Sequence, residues 1–235
     1  MRADNQPAFI LHHYPYRDTS QILELLTRNF GRLSVISRGS LAARSKVKAV
    51  LQPFRLLHLS WSGKGDLPTL TQAELGSYDS TLLTGEKFAS GFYLNELMMY
   101  FLQRHDVQEE IFTIYAETMA RLAVETTGLE MVLRLFEKQL LNELGLGLNL
   151  THDADSGLPI VESEQYLYQV EHGPVLSITP DVASQRPLIA GASLLDFSRD
   201  DLVADRTRRE IKILMRHVLA FYLAGKPLKS RELFR

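Results

Sequence analysis

Five short apolar segments, at residues 8–13, 21–27, 32–37, 47–61 and 67–75, crowd the first 80 residues of this 235-residue chain, with nothing of helical length between them. They are rich in Ile, Leu, Val and Phe, and turn chemistry such as Asn29-Phe30-Gly31 and Ser62-Gly63-Lys64-Gly65-Asp66 separates them. Neighbouring strands can run parallel only across a crossover of about a dozen residues, usually a helix. None is available, so the spacing predicts mainly antiparallel pairing. Five strands, with a basic Gly/Ser-containing loop at residues 38–48 after the third, predict a small closed barrel of the OB type.

Past residue 80 the apolar period lengthens. Residues 86–104 place Phe88, Phe92, Met99 and Leu102 near one helical face, and residues 109–127 do the same with Ile111, Ile114, Tyr115, Thr118, Met119 and Leu122. A third helix over 129–144 carries Leu129, Val132, Leu133, Phe136, Leu140 and Leu144, with Gly145 and Gly147 as stop residues. Residues 149–198 are broken by Gly157, Pro159, Pro174, Pro180 and Pro187, leaving room for a hairpin of 165–170 with 175–179. A last helix is expected from Ser198 as N-cap, with Asp200 and Asp201 at its positive end and Gly225 and Pro227 closing it. The fold class is therefore α+β: a barrel domain over 1–80, then a helical domain over 81–235 with an irregular insert at 149–198 and a final helix at 199–225.

Several chemistries drop out at once. With no cysteine there is no disulfide, thiolate nucleophile or cysteine-ligated zinc. No run approaches the roughly 18 apolar residues of a membrane span, and the first residues lack the apolar core of a signal peptide, so a cytoplasmic chain without a membrane partner is expected. Walker A, G-x-S-x-G and H-E-x-x-H strings are absent, and Gly145-Leu146-Gly147 ends a helix rather than opening one after a strand. His12 and His13, adjacent on a strand, point to opposite faces. His152, Asp153, Asp155 and His172 lie near enough in sequence for a hard-ligand site, but solvated loop residues are the favoured account of them. No catalytic residue, cofactor or metal is expected.

The net charge of −2 conceals an asymmetry. Residues 1–80 hold 10 basic and 6 acidic side chains, residues 81–198 hold 6 and 17, and residues 199–235 hold 10 and 5. From Arg28 to Lys64 there are eight cations and no carboxylate. Such a run repels itself unless solvent or a polyanion absorbs its field. A solvated face balanced by the acidic middle of the molecule is the alternative. Tyr14, Tyr16, Phe30, Phe54 and Trp61 are the barrel's aromatic stock; most must fill the core, and one or two facing outward could stack on bases.

Six blocks carry a resemblance. Gly31-Arg32-Leu33, Arg38-Gly39-Ser40 and Leu51-Gln52-Pro53-Phe54 in the barrel segment, Tyr93-Leu94-Asn95-Glu96-Leu97 and Leu133-Arg134-Leu135-Phe136-Glu137 in the helices, and the ending Gly225-Lys226-Pro227-Leu228-Lys229-Ser230-Arg231-Glu232-Leu233-Phe234 span the chain in order. Together they resemble the RecO family of bacterial recombination mediators. The resemblance implies an OB-fold barrel followed by a helical domain, in a non-enzymatic, nucleoid-associated protein. Such a protein binds single- and double-stranded DNA, anneals complementary strands, and works with RecR to place RecA on DNA coated by single-stranded DNA-binding protein. Many members carry a four-cysteine zinc module at the position of residues 149–180. This chain departs from that pattern, and apolar packing of a 166–179 hairpin is expected in its place.

On this reading Arg32, Arg38, Arg44, Lys46 and Lys48 contact phosphates, because they are clustered, unopposed by acid and placed on the segment that resembles the family's DNA-binding domain. The resemblance also implies a site for the acidic, phenylalanine-ending tail of the single-stranded DNA-binding protein. Arg134 is its candidate cation, since it interrupts an apolar run in an acidic region; pairing with Glu130 or Glu137 is the plainer account. The cluster Arg206, Arg208, Arg209, Lys212 and Arg216 either extends a DNA track or pairs with acids of its own domain. A protein-binding scaffold without DNA contact, and a metal-dependent nuclease, are the rival functions.

Overall fold

The computed structural model describes residues 1–76, 83–177 and 186–234, which form two compact units, Met1–Leu129 with Leu228–Arg235 and Glu130–Pro227. In the first, alternating apolar and polar residues make five strands: β1 (Arg2–Tyr16), β2 (Ser20–Thr27), β3 (Gly31–Ser37), β4 (Leu57–Ser62) and β5 (Thr69–Leu75). They close into a barrel in the order β1-β2-β3-β5-β4, antiparallel except where Ile36 on β3 pairs with Thr69 on β5. Inward residues Ile10, Leu23, Leu25, Leu33, Val35, Leu59 and Trp61 fill the interior, as a barrel this small requires. The expected OB-type barrel is therefore present. β1 is longer than its apolar segment because it serves two neighbours, β4 along its first half and β2 along its second. Register shifts at Ala3/Gln6 and Ile10/His12 bend it between them.

The strand expected over 47–61 does not form. A one-turn helix α1 (Val47–Val50) and a turn precede β4. Pro53 lacks the N–H a ladder needs, and Phe54 has a φ of 67°, in the left-handed region. Its ring lies edge-on to Phe88 and Phe92 at 5.6 and 5.0 Å, over Gly91, where a Cβ would come within 2.8 Å of it. Those aromatics belong to α2 (Gly85–Phe101), whose buried face is Ala89, Tyr93, Leu94, Leu97 and Met98 rather than the expected Phe88–Phe92–Met99–Leu102 set. The next helix, α3 (Glu109–Val124), buries Ile111, Tyr115, Thr118, Met119 and Leu122 as its spacing predicts, together with Phe112.

The division expected at residue 80 falls within 77–82, outside the described residues; the compact units themselves part after Leu129. The reason is that α2 and α3 pack on the barrel. Phe9 meets Phe112 and Tyr115 at 5.5 and 5.0 Å. Buried Asn95 donates to the Ile10 and Leu11 carbonyls (3.3 and 2.8 Å) at the bulge of β1 and accepts from the Tyr115 hydroxyl at 2.5 Å. Its neighbour Glu96 accepts from the Lys229 and Ser230 amides at 2.9 Å each and from the Ser230 hydroxyl at 2.6 Å. That clasp holds a terminal 3-10 helix (Lys229–Phe234) on the same unit. Gly31, at φ +64°, begins β3 where a Cβ would lie 2.0 Å from the Asp106 carbonyl oxygen. Residues 104–106 come so close because they extend the barrel edge: Arg104 bridges to Arg32, and the His105 amide donates to the Arg32 carbonyl at 2.8 Å.

The second unit comprises α4 (Leu129–Glu143), β6 (Gln165–Gln169), β7 (Gly173–Leu176), β8 (Leu188–Ala190), α5 (Gly191–Ser198) and α6 (Asp205–Tyr222). The expected hairpin is β6 with β7; residues 178 and 179 of its second strand lie outside the described residues. A third strand, β8, makes the sheet β7-β6-β8, and α5 follows directly, so the stretch read as irregular is largely structured. The final helix starts at Asp205, not at Ser198. The Ser198 hydroxyl donates to the Leu195 carbonyl at 2.6 Å and closes α5, and Asp200 at φ 62° turns the chain away. Among the described residues no helix is long and apolar enough to cross a membrane.

Candidate nucleic-acid interface

Three loops meet at one end of the barrel. The basic loop after β3 is tied to the β1–β2 turn by the Leu41 amide donating to the Thr19 carbonyl (2.8 Å) and the Gly39 amide to the Ser20 hydroxyl (3.4 Å). The β4–β5 loop joins them where the Ile36 amide donates to the Pro68 carbonyl at 2.8 Å. A short ladder and a few backbone bonds thus gather segments that are up to 50 residues apart in sequence onto one rim. These loops carry Arg17, Arg38, Arg44, Lys46 and Lys64, and Lys48 follows on α1; all six are exposed, against two loop carboxylates, Asp18 and Asp66. Among the described residues Arg38, Arg44, Lys46 and Lys48 make no ion pair. Unpaired surface cations on a shared rim are what a polyphosphate recognises, each contact releasing counterions. Arg17 lies outside the acid-free run and is brought to the rim only by the β1–β2 hairpin; there its guanidinium lies 5.2 Å over the Tyr16 ring.

Arg32 does not belong to this set. Its side chain is 14% exposed, Nη1 donates to the Met99 carbonyl at 3.3 Å, and Glu24 lies 3.9 Å away. Glu24, nearly fully buried on the outer face of β2, also receives Arg104 at 2.5 Å and a very short bond from the Ser34 hydroxyl. Arg32 is thus the partner of a buried carboxylate rather than a free cation, and it fastens residues 99–104 to the barrel. Two other members of the acid-free run are engaged as well: Arg28 faces Glu109 at 3.7 Å, and Arg55 bonds the Ala49 carbonyl at 3.5 Å.

The aromatics divide as the size of the barrel demands. Trp61 is fully buried with Phe30 edge-on at 5.3 Å, and Phe54 is held by α2. Tyr14 is 44% exposed and Tyr16 half-buried. His12, 4.4 Å edge-on from Tyr14, has its pKa held below the ordinary histidine value by burial and by His13, with Glu24 opposing.

In the second unit Arg134 is buried, 9% exposed, and paired at 2.7 Å with Glu137, itself fully buried. It therefore does not stand at an open mouth, and pairing with Glu137 is the arrangement present. In the C-terminal group Arg206 pairs with Glu210 at 2.8 Å, Arg208 with Asp205 at very short range, and Lys212 with Glu130 at 2.9 Å, leaving Arg209 and Arg216 exposed. Pairing within the unit consumes most of that cluster.

Asp153, one of the four loop residues with metal-ligand chemistry, is held by hydrogen bonds instead. One oxygen accepts from the Ser156 amide and hydroxyl at 2.7 Å each and from the Asp155 amide at 3.2 Å; the other accepts from the Leu176 amide on β7 at 2.7 Å. Burial pushes its pKa up, but these donors outweigh it, and the carboxyl titrates below its ordinary range. Asp155 is turned instead to His172, at 2.8 Å. Among the described residues no three His, Asp or Glu side chains converge as metal ligands. The loop is thus closed by a carboxylate hub as well as by the apolar packing expected of the hairpin, where Tyr166 and Tyr168 are buried.

Comparison with known proteins agrees with this architecture. Residues 1–78 match the family model described as recombination protein O N terminal, and residues 82–232 match recombination protein O C terminal. The chain is similar to the DNA repair protein RecO of Dechloromonas aromatica, at 44% identity covering all of this chain and 96% of that protein. It is also similar to its namesakes in Nitrosospira multiformis, 41% identical over all of this chain and 96% of the relative, and Nitrosococcus oceani, 41% identical over 99% and 93%. With both halves of the family pattern matched along nearly its whole length, the chain belongs to the recombination protein O family.

Proposed function

We propose that this protein binds single- and double-stranded DNA through phosphate contacts from Arg38, Arg44, Lys46 and Lys48, and that it anneals complementary strands on that surface. The family's role is in DNA repair and recombination. Within it, the chain works with RecR to place RecA on DNA coated by single-stranded DNA-binding protein, without bond-making chemistry of its own. The observation that carries the reading is the rim of exposed cations without carboxylate partners at the loop end of the barrel. Neutralising both strands lowers their mutual repulsion, while contacts confined to phosphates leave the base edges free to pair. The triple variant Arg44→Glu, Lys46→Glu, Lys48→Glu should lose affinity for both DNA forms and lose annealing. Retained affinity in a folded triple variant would remove the rim from the function.

The tail of the single-stranded DNA-binding protein is assigned to Arg134 on a stated condition. A terminal carboxylate must compete with Glu137 for the guanidinium, so Glu137→Gln should tighten the tail peptide and Arg134→Ala should weaken it. Titrations in which neither change moves the affinity take Arg134 out of the site.

A further inference from the structure

On the outside of the barrel, beside the cationic rim, Tyr14, Ile22 and Ile36 stand in one row across three strands. Tyr14 on β1 pairs with Ile22 on β2, and Ile22 pairs with Ile36 on β3. Their strand neighbours Leu23 and Val35 are in the core, so strand alternation turns Ile22 and Ile36 outward. Tyr14 is exposed and both isoleucines are partly so, an unusual use of apolar side chains on an outer sheet face.

The rows on either side differ sharply. Toward the loops lie the Tyr16–Ser20 pair and the exposed Arg38, the first residue after β3 ends at Ser37. Away from the loops lies the His12–Glu24–Ser34 row, where Glu24 is buried under Arg104. The apolar strip is thus open toward cations and closed at its far end. Its width is two strand spacings, about 10 Å, enough for one or two bases.

We infer that this row is a stacking platform for unpaired bases, and that it makes the barrel prefer single strands over duplex. The inference rests on the DNA-binding reading above. Its occupant follows from chemistry: an apolar face edged by guanidinium groups fits a ligand with flat apolar rings on a phosphate chain. A duplex offers the same phosphates but keeps its bases stacked inside, so it gains from Arg38 and its neighbours and gains nothing from Tyr14.

Equilibrium binding of the full-length protein to three probes tests this: a single-stranded oligonucleotide, its duplex, and an abasic single strand of equal length. The wild type should bind the abasic strand about tenfold more weakly than the normal strand. Tyr14→Ala should lower affinity for the normal strand by a similar factor, to the abasic level, leave duplex affinity and the salt slope unchanged, and be rescued by Tyr14→Trp. Equal wild-type affinity for the abasic and normal strands overturns the platform while leaving the phosphate rim intact. So does a Tyr14→Ala loss shared equally by duplex and single strand. Failure of the wild type to bind any of the three overturns the DNA-binding reading, and the platform with it.

Discussion

Arg32 and Arg44 are both arginines of the same acid-free run, one enclosed beside Glu24 and the other exposed, so one substitution applied to each separates stability from the proposed binding. Arg→Met keeps the aliphatic stem and removes only the charge and its donors. At position 32 the lost interactions are a hydrogen bond from a cation to the Met99 carbonyl and an attraction to Glu24 at 3.9 Å. The latter is worth about 4 kcal/mol gross at an effective dielectric of about 20, most of it offset by desolvation. Glu24 keeps Arg104 and Ser34 as partners, so the net cost should be about 1–3 kcal/mol rather than the full penalty of an orphaned buried charge. Urea unfolding followed by fluorescence reads this directly, because Trp61 is the sole tryptophan and lies in the barrel core. Arg44→Met should leave the urea midpoint in place and reduce the slope of log affinity against log salt by about 0.7 on a single strand. If Arg32→Met instead left the midpoint unmoved and took that 0.7 from the slope, the assignment of Arg32 to the Glu24 cluster would be refuted.

Three further outcomes follow from the buried polar groups. Because hydrogen bonds depress the Asp153 pKa in the folded state, its stabilising contribution is full above the unfolded value of about 4 and is lost as pH falls through the lower folded value; acid titration of stability should therefore flatten in Asp153→Asn, and an unchanged titration would contradict the hub. Gly31→Ala forces an L side chain at φ +64° against the Asp106 carbonyl and should destabilise the barrel by about 3 kcal/mol or more, read by the Trp61 melt; a loss under about 1 kcal/mol would argue against the close approach of residues 104–106. Asn95→Ala removes the acceptor of the Tyr115 hydroxyl and the donor to the Leu11 carbonyl and should cost about 2–5 kcal/mol, and a double-mutant cycle with Tyr115→Phe should be non-additive, strict additivity being the contrary result.

How far the sequence could be read depended on how local each cause was. β2 and β3 appear within a residue or so of their expected bounds, because alternation within a half-buried strand is a local pattern. The strand expected over 47–61 failed at Pro53 and Phe54, where a missing N–H and a left-handed backbone outweigh apolar composition. Ser198 and Asp201 have helix-start chemistry, yet the same hydroxyl and carboxylate groups close α5 and the following turn. The motif names the chemistry but not the end of the helix it serves. In α2 the expected apolar face is turned toward Phe54, and the buried face includes Asn95, a polar residue whose partners lie 20 and 84 residues away. Arg32 looked like Arg38 for the same reason: the residues that neutralise it, Glu24 and residues 99–104, meet it only through strand pairing and the return of the chain. The resemblance blocks gain a physical reason here, since Glu96 of one block clasps Lys229 and Ser230 of another.

The central claim is that four cations of the basic loop hold phosphate. It is tested most directly by the salt dependence of single-strand binding for the wild type and for a variant with Arg38, Arg44, Lys46 and Lys48 all changed to Gln. Four lost contacts should make the slope shallower by about 2.8, at about 0.7 for each, with the urea midpoint unchanged. A folded quadruple variant whose slope matched that of the wild type would contradict the account.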